Sequence, residues 1–194
     1  QTRVVEMLKE SKARYESAFR TSGQAYASLR ISAGLNSAGL INEATGGVSH
    51  YFKVLELLDT AQNDWPSLLS RLEAMRSKML KRASSATVVN LTGDKKALDA
   101  AQGQLGSFCA QLFGAGTSST EPDWSSLASL VNVKPNEAFS VPTQVNYVAK
   151  GGSLYKPGEV TSGADSVVRR FLSLDYLWNQ VRVQGGAYGS SASS

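Results

Sequence analysis

Apolar positions return at helical spacing from the start of the chain, with Val4, Leu8, Tyr15 and Phe19 on one face. Opposite them, Glu10 with Arg14 and Glu16 with Arg20 stand four apart, the spacing of solvent-side ion pairs. This pattern predicts a long amphipathic helix over 1–26. Helical period continues through Leu29, Ala33 and Leu40, where Ala33, Gly34, Ala38 and Gly39 leave room for another element to approach closely. The pair Gly46 and Gly47 ends that run. A further helix follows over 48–62, with Phe52, Leu55 and Leu58 apolar and Ser49 a candidate cap. The next opens near Pro66, faces inward through Leu69, Leu72 and Met75, and collects Lys78, Lys81 and Arg82 at its C-terminal end.

The period then changes. "ATVVNLTG", residues 86–93, reads as a short β-branched strand, and Asp94 is placed to cap a helix striped by Leu98, Ala101, Leu105, Phe108 and Leu112. Residues 114–139 begin Gly-, Ser- and Thr-rich, contain Pro122, and read as a linker. In "SVPTQVNYVAK", 140–150, Thr143, Val145, Tyr147 and Ala149 alternate with Gln144, Asn146 and Val148, the period of a half-buried strand. Helical spacing returns from Gly163 to Val181 through Val167, Phe171, Leu174 and Trp178. Arg182 falls at that helix's end, Gly185 and Gly186 break it, and Ala187 and Tyr188 read as the start of another strand. Helices followed by strands predict an α+β architecture, with helices packed on one face of a sheet. The units expected are 1–113, a linker at 114–139, and 140–194. Gln1 falls within a helix already under way and the last predicted strand is cut short, so the sequence reads as a piece of a longer protein whose remaining strands lie elsewhere.

Composition narrows the function. The chain of 194 residues is 42% apolar and 19% charged, ordinary for a folded domain. No run approaches the length of a membrane span. The net charge of +4 is dispersed, and the clusters at Lys78–Arg82 and Arg169–Arg170 read as helix ends rather than a nucleic-acid footprint. A lone cysteine, Cys109, sits in a helical stripe and reads as a small hydrophobe. His50, beside Tyr51 and Phe52, reads as a packed or hydrogen-bonded histidine. With one His and one Cys, the sequence carries no visible zinc motif. "GGAYGS" follows a helix and lacks the spacing of a dinucleotide or Walker loop. Glu43, Glu56, Asp59 and Glu159 read as solvent faces and turns. Arg182 and Tyr188 remain. A guanidinium with five donors and a phenolic hydroxyl, joined through a glycine turn, are suited to hold a carbonyl or a developing oxyanion; a surface arginine and a core tyrosine explain the same residues.

"VPTQVNYVAKGGSLY" (141–155) and "YLWNQVRVQGGAYG" (176–189) closely resemble the C-terminal half of the presequence proteases, organellar zinc metallopeptidases of the pitrilysin-like class, in their plant or algal form. "LNSAGLINEATGGVSHYFKVLELL" (35–58) and "DWPSLLSRLEAMRSKMLKRASSATVVNLTGDKKAL" (64–98) resemble the third domain of that family. The resemblance implies four α+β domains, each with helices on a mainly antiparallel sheet, forming two halves around a peptide chamber. This chain would be the late third and early fourth domains. Zinc would belong to the full-length parent, bound by an H-x-x-E-H motif and a distal Glu in its N-terminal half, with no cofactor or metal bound here. Residues matching the family's arginine and tyrosine are Arg182, implied to hold the substrate backbone, and Tyr188, implied to donate to the scissile carbonyl or oxyanion. The implied partners are short unstructured peptides, among them cleaved targeting presequences, and the N-terminal catalytic half of the same chain. The implied compartments are the chloroplast stroma and the mitochondrial matrix, and the isolated piece is expected to be inactive. Two alternatives are a non-catalytic pitrilysin-like binding or structural subunit and an unrelated helical peptide-binding module.

Overall fold

The computed structural model describes residues 1–86, 89–113, 131–156 and 158–193, which divide into a first unit over 1–151 and a second over 152–194.

In the first unit, α1 (Thr2–Ala33) runs past the predicted end, with one non-helical residue at Ser22, φ −140°. Its aromatic face meets α3 (Val48–Asn63), where the Phe19 and Tyr51 rings stand edge to face at 5.1 Å and the Tyr51 hydroxyl donates to Glu16 Oε1 at 3.0 Å. Lys12 pairs with the same Glu16 at 2.9 Å. The expected continuous run to Gly46 is broken, because Asn36 accepts from the Gly39 N–H at 2.7 Å and starts a separate helix, α2 (Ser37–Gly46). A Cβ at Gly39 would stand 2.2 Å from the Ser32 carbonyl, so the small residue does permit the close approach read from the sequence. Gly47, not Ser49, caps α3. Asp64 receives the Ser67 N–H at 3.3 Å and opens α4 (Trp65–Ala86); Asp94 receives the Ala97 N–H at 2.8 Å and opens α5 (Lys95–Phe113), as expected. Leu98, Ala101, Leu105 and Cys109 form the half-buried stripe of α5, while Phe108 is exposed. Ala33, Val48, Val54, Ala61, Leu68 and Val131 are the buried apolar residues, so this core lies against α3.

The expected α+β fold, with helices on one face of a mainly antiparallel sheet, is corrected: among the described residues there is no strand, and the architecture is helical. In the stretch 86–93, Ala86 belongs to α4, Thr87 and Val88 lie outside the described residues, and 89–92 are irregular. Residues 114–130 of the expected linker also lie outside them. The alternation at 140–150 is physically realised without a ladder. Val141, Thr143, Val145 and Tyr147 are half-buried and the residues between them exposed, yet the surface beneath is α1, which offers no free backbone edge to pair with. A period of two specifies an extended chain with one covered face, and a sheet requires a partner strand besides.

In the second unit, α6 (Gly163–Phe171) starts from Ser162 and Asp165, with the Ser162 N–H donating to Asp165 Oδ2 at 2.9 Å and the Ala164 N–H to Ser162 Oγ at 3.2 Å. It continues through π-wound segments, Leu172–Tyr176 and Trp178–Gln184. The half-buried line is Asp165, Arg169, Ser173 and Leu177, whereas the predicted inner stripe of Val167, Phe171, Leu174 and Trp178 is exposed. Ala187 and Tyr188 form a loop rather than a strand.

Candidate functional site

The helical run of the second unit ends in a glycine cap. Gly186 takes φ +71°, the left-handed conformation glycine tolerates, its N–H reaches the Arg182 carbonyl at 3.0 Å, and the Ala187 N–H reaches the Val181 carbonyl at 3.1 Å. Further on, the chain is tied again, where the Ala192 N–H donates to Ser173 Oγ at 2.9 Å. Tyr188 lies between these ties, on a short loop fixed at both ends, with 88% of its surface exposed. The core-tyrosine reading is thereby excluded.

Arg182 sits in the last π-wound turn, and its guanidinium carbon stands 4.2 Å from the centre of the Trp178 ring. Wider i→i+5 winding brings residues four and five apart onto one face, which stacks the guanidinium on the indole. Among the described residues no hydrogen bond joins Arg182 to Tyr188. The two are separate exposed donors near one helix end, each held by its own local contact.

A second polar constellation, in the first unit, was not singled out from the sequence. Arg30 donates through Nε to Glu137 Oε2 at 2.6 Å and through Nη2 to Glu137 Oε1 at 2.9 Å, a bidentate pair. Its Nη1 donates to Glu43 Oε1 at 3.2 Å and to Ser49 Oγ at 2.8 Å, and its Nη2 also reaches the Asn132 carbonyl. Phe139 lies 5.9 Å from the guanidinium carbon. One cation therefore ties α1, α2, α3 and 131–139. Hydrogen bonding from the Arg30 guanidinium holds the Glu137 carboxyl below the usual carboxylate range, and the same bond raises Arg30 above its ordinary value.

Glu43 is fully buried, which corrects its reading as a solvent-face carboxylate. Its Oε1 accepts from Arg30 and from the Ser49 N–H at 2.9 Å; its Oε2 has no hydrogen-bond partner among the described residues. The carboxylate packs against Gly47, where a Cβ would stand 1.7 Å from Oε2. A glycine pair soon after the glutamate was the available signal. His50 is packed as read: Nδ1 lies 3.3 Å from the Ala44 carbonyl and the ring 5.7 Å from that of Tyr15. Among the described residues no group of three or more His, Cys, Asp or Glu could hold a metal ion, and no helix is long and apolar enough to cross a membrane.

Comparison with known proteins covers both units. A family model described as the PreP C-terminal domain matches residues 136–193, and one described as a peptidase-associated region matches residues 1–57. The chain is 36% identical over 190 residues to presequence protease 1, chloroplastic/mitochondrial, of Arabidopsis thaliana, covering 97% of this chain and 17% of that protein. It is 27% identical over 188 residues to protein HypA of Clostridium perfringens, covering 96% of this chain and 18% of that protein. No solved structure matches the chain.

Proposed function

This chain belongs to the presequence protease family, and from that premise we propose that it is part of an organellar zinc metalloendopeptidase that degrades cleaved targeting presequences and other short unstructured peptides. Arg182 holds the substrate backbone, and Tyr188 donates its hydroxyl to the scissile carbonyl and then to the oxyanion that replaces it. A donor aimed where charge develops lowers the barrier most when it is held in place beforehand. The observation that carries this reading is the Tyr188 side chain, 88% exposed on a loop tied at Gly186 and Ala192.

The described residues do not fit a zinc site. Zinc and the base that activates water are therefore assigned to other parts of the parent, and no step is routed through the metal here. The chloroplast and the mitochondrion, named for the Arabidopsis relative, are the proposed compartments. Partners are the peptide and the catalytic half of the same polypeptide.

Hydrolysis of a quenched presequence peptide by the full-length parent, with and without Tyr188→Phe, tests the reading. Removing the hydroxyl is expected to lower kcat by about 10²–10³, the scale of one lost oxyanion donor. Undiminished turnover by Tyr188→Phe would overturn the oxyanion role, and cutting by this chain alone would overturn its assignment as a non-metal portion of the enzyme.

A further inference from the structure

Residues 131–151 carry neither helix nor strand, yet they are fastened to α1 at three separated points. Near one end, the Arg30 guanidinium grips both Glu137 oxygens and the Asn132 carbonyl. Glu137 is itself fixed, since its Oε1 accepts the Lys134 N–H at 3.0 Å. In the middle, the Tyr147 hydroxyl donates to the Arg20 carbonyl at 2.6 Å, beside the non-helical Ser22, and its ring fills the space over Gly23. At the far end Gly151 lies against Ile31, whose Cγ2 would stand 2.5 Å from an added Cβ. Val141, Thr143 and Val145 are half-buried between these fastenings.

An extended segment held by a few side-chain clasps opens at lower free energy than the helices beneath it, because no backbone ladder must break. Its release would also have a covalent consequence. Gly151 closes the first unit, and the chain that continues from it carries Arg182 and Tyr188. While the segment is docked, that chain leaves from a fixed point; once it is released, the same chain hangs from a long tether. Tethering by a longer flexible segment lowers the effective concentration of whatever it carries.

We propose that 131–151 is a strap with a docked and a released state, and that its docking regulates the Arg182 and Tyr188 site, with Arg30 and Tyr147 as positioning residues. The regulatory half rests on the function proposed above; the two-state strap does not.

The test uses the full-length parent bearing Glu137→Gln, Tyr147→Phe, both together, or Tyr188→Phe. Hydrogen exchange over 131–151 and steady-state kinetics on a quenched presequence peptide are measured for each. The first two substitutions remove one charge and one hydroxyl and keep side-chain shape, so the helices are expected to retain their protection. Exchange of the strap should quicken about tenfold in each single variant and further in the double, by the ~1.4 kcal/mol that a clasp of this kind contributes. In step with it, kcat should fall while KM holds, a split that general destabilisation would not produce. Unchanged strap exchange in all three variants overturns the proposal. Faster exchange with unaltered kcat, where Tyr188→Phe is impaired, overturns the regulatory link alone. Full kcat in Tyr188→Phe instead overturns the functional reading, and the regulatory link with it.

Discussion

The ring of Tyr147 occupies the place a side chain at position 23 would need, since a Cβ on Gly23 would stand 2.2 Å from Tyr147 Cδ2. A residue of α1 and one 124 positions later are thus complementary in shape, and the hydroxyl of the same tyrosine reaches the Arg20 carbonyl.

Gly23→Ala sets two effects against each other. Alanine favours a helix by about 1 kcal/mol over glycine, while the overlap with the ring costs roughly 1–3 kcal/mol if the strap stays docked. The overlap is expected to win, with lower stability in urea and faster exchange over 131–151. In a Tyr147→Ala background the same substitution should become neutral or stabilising, because nothing then stands over position 23. A destabilisation equal in both backgrounds would show that the ring does not occupy that space in solution.

Glu43 and Gly47 make a second such pair. Gly47→Ala places a methyl group against a fully buried carboxylate, and its φ of −94° means that the penalty arises from contact, not from the backbone. A loss of several kcal/mol is expected, within the range for exceptional core lesions. Glu43→Ala also destabilises, since it strands one arm of Arg30, but the double substitution should lose less than the sum. A double-mutant cycle in urea is expected to show coupling of about 0.5–3 kcal/mol, and strict additivity would separate the two residues.

These contacts show where sequence reading stops. The main helices were legible because a period near 3.6 and the caps are local; Asp94 needed only the apolar stripe after it. The alternation at 140–150 was equally legible, but what lies beneath an alternating stretch is a non-local fact, and here it is α1 in place of a neighbouring strand. Arg30 and Glu137 are 107 positions apart, and nothing near either distinguishes it from a surface charge. Glu43 looked exposed because it follows Asn42 on a polar stretch; burial comes from α3 turning back at Gly47. Arg182 and Tyr188 stood out through the family resemblance, whereas the π-wound backbone that stacks Arg182 on Trp178 left no visible mark.

Acid should loosen the strap through Glu137. Its carboxyl titrates below its ordinary range when docked, so it contributes stability that is present above the unfolded-state value, about 4.3, and lost as pH falls through the lower folded value. Arg30 is raised, which confines its own loss to strongly alkaline solution. Tm measured from pH 7 to pH 3 is expected to fall more steeply for the native protein than for Glu137→Gln, with the difference narrowing below about pH 4. A constant difference throughout would mean that Arg30 does not hold Glu137 ionised.

Trp178 offers a way to separate stability from function at the second unit. An exposed guanidinium over an indole contributes about 0.5–1 kcal/mol, so Trp178→Leu should shift the urea midpoint only slightly. If Arg182 binds the substrate backbone, the indole has a further effect, because it restricts the guanidinium before the peptide arrives and reduces the ordering cost of binding. Trp178→Leu is then expected to raise KM a few-fold in the full-length parent with kcat nearly constant. Arg182→Lys should do more, since an ammonium loses the planar fork that matches a peptide carbonyl. Equal kinetics for the native protein and Trp178→Leu would mean that the stack only parks Arg182 on the surface, and an Arg182→Lys enzyme of full activity would remove the arginine from substrate binding.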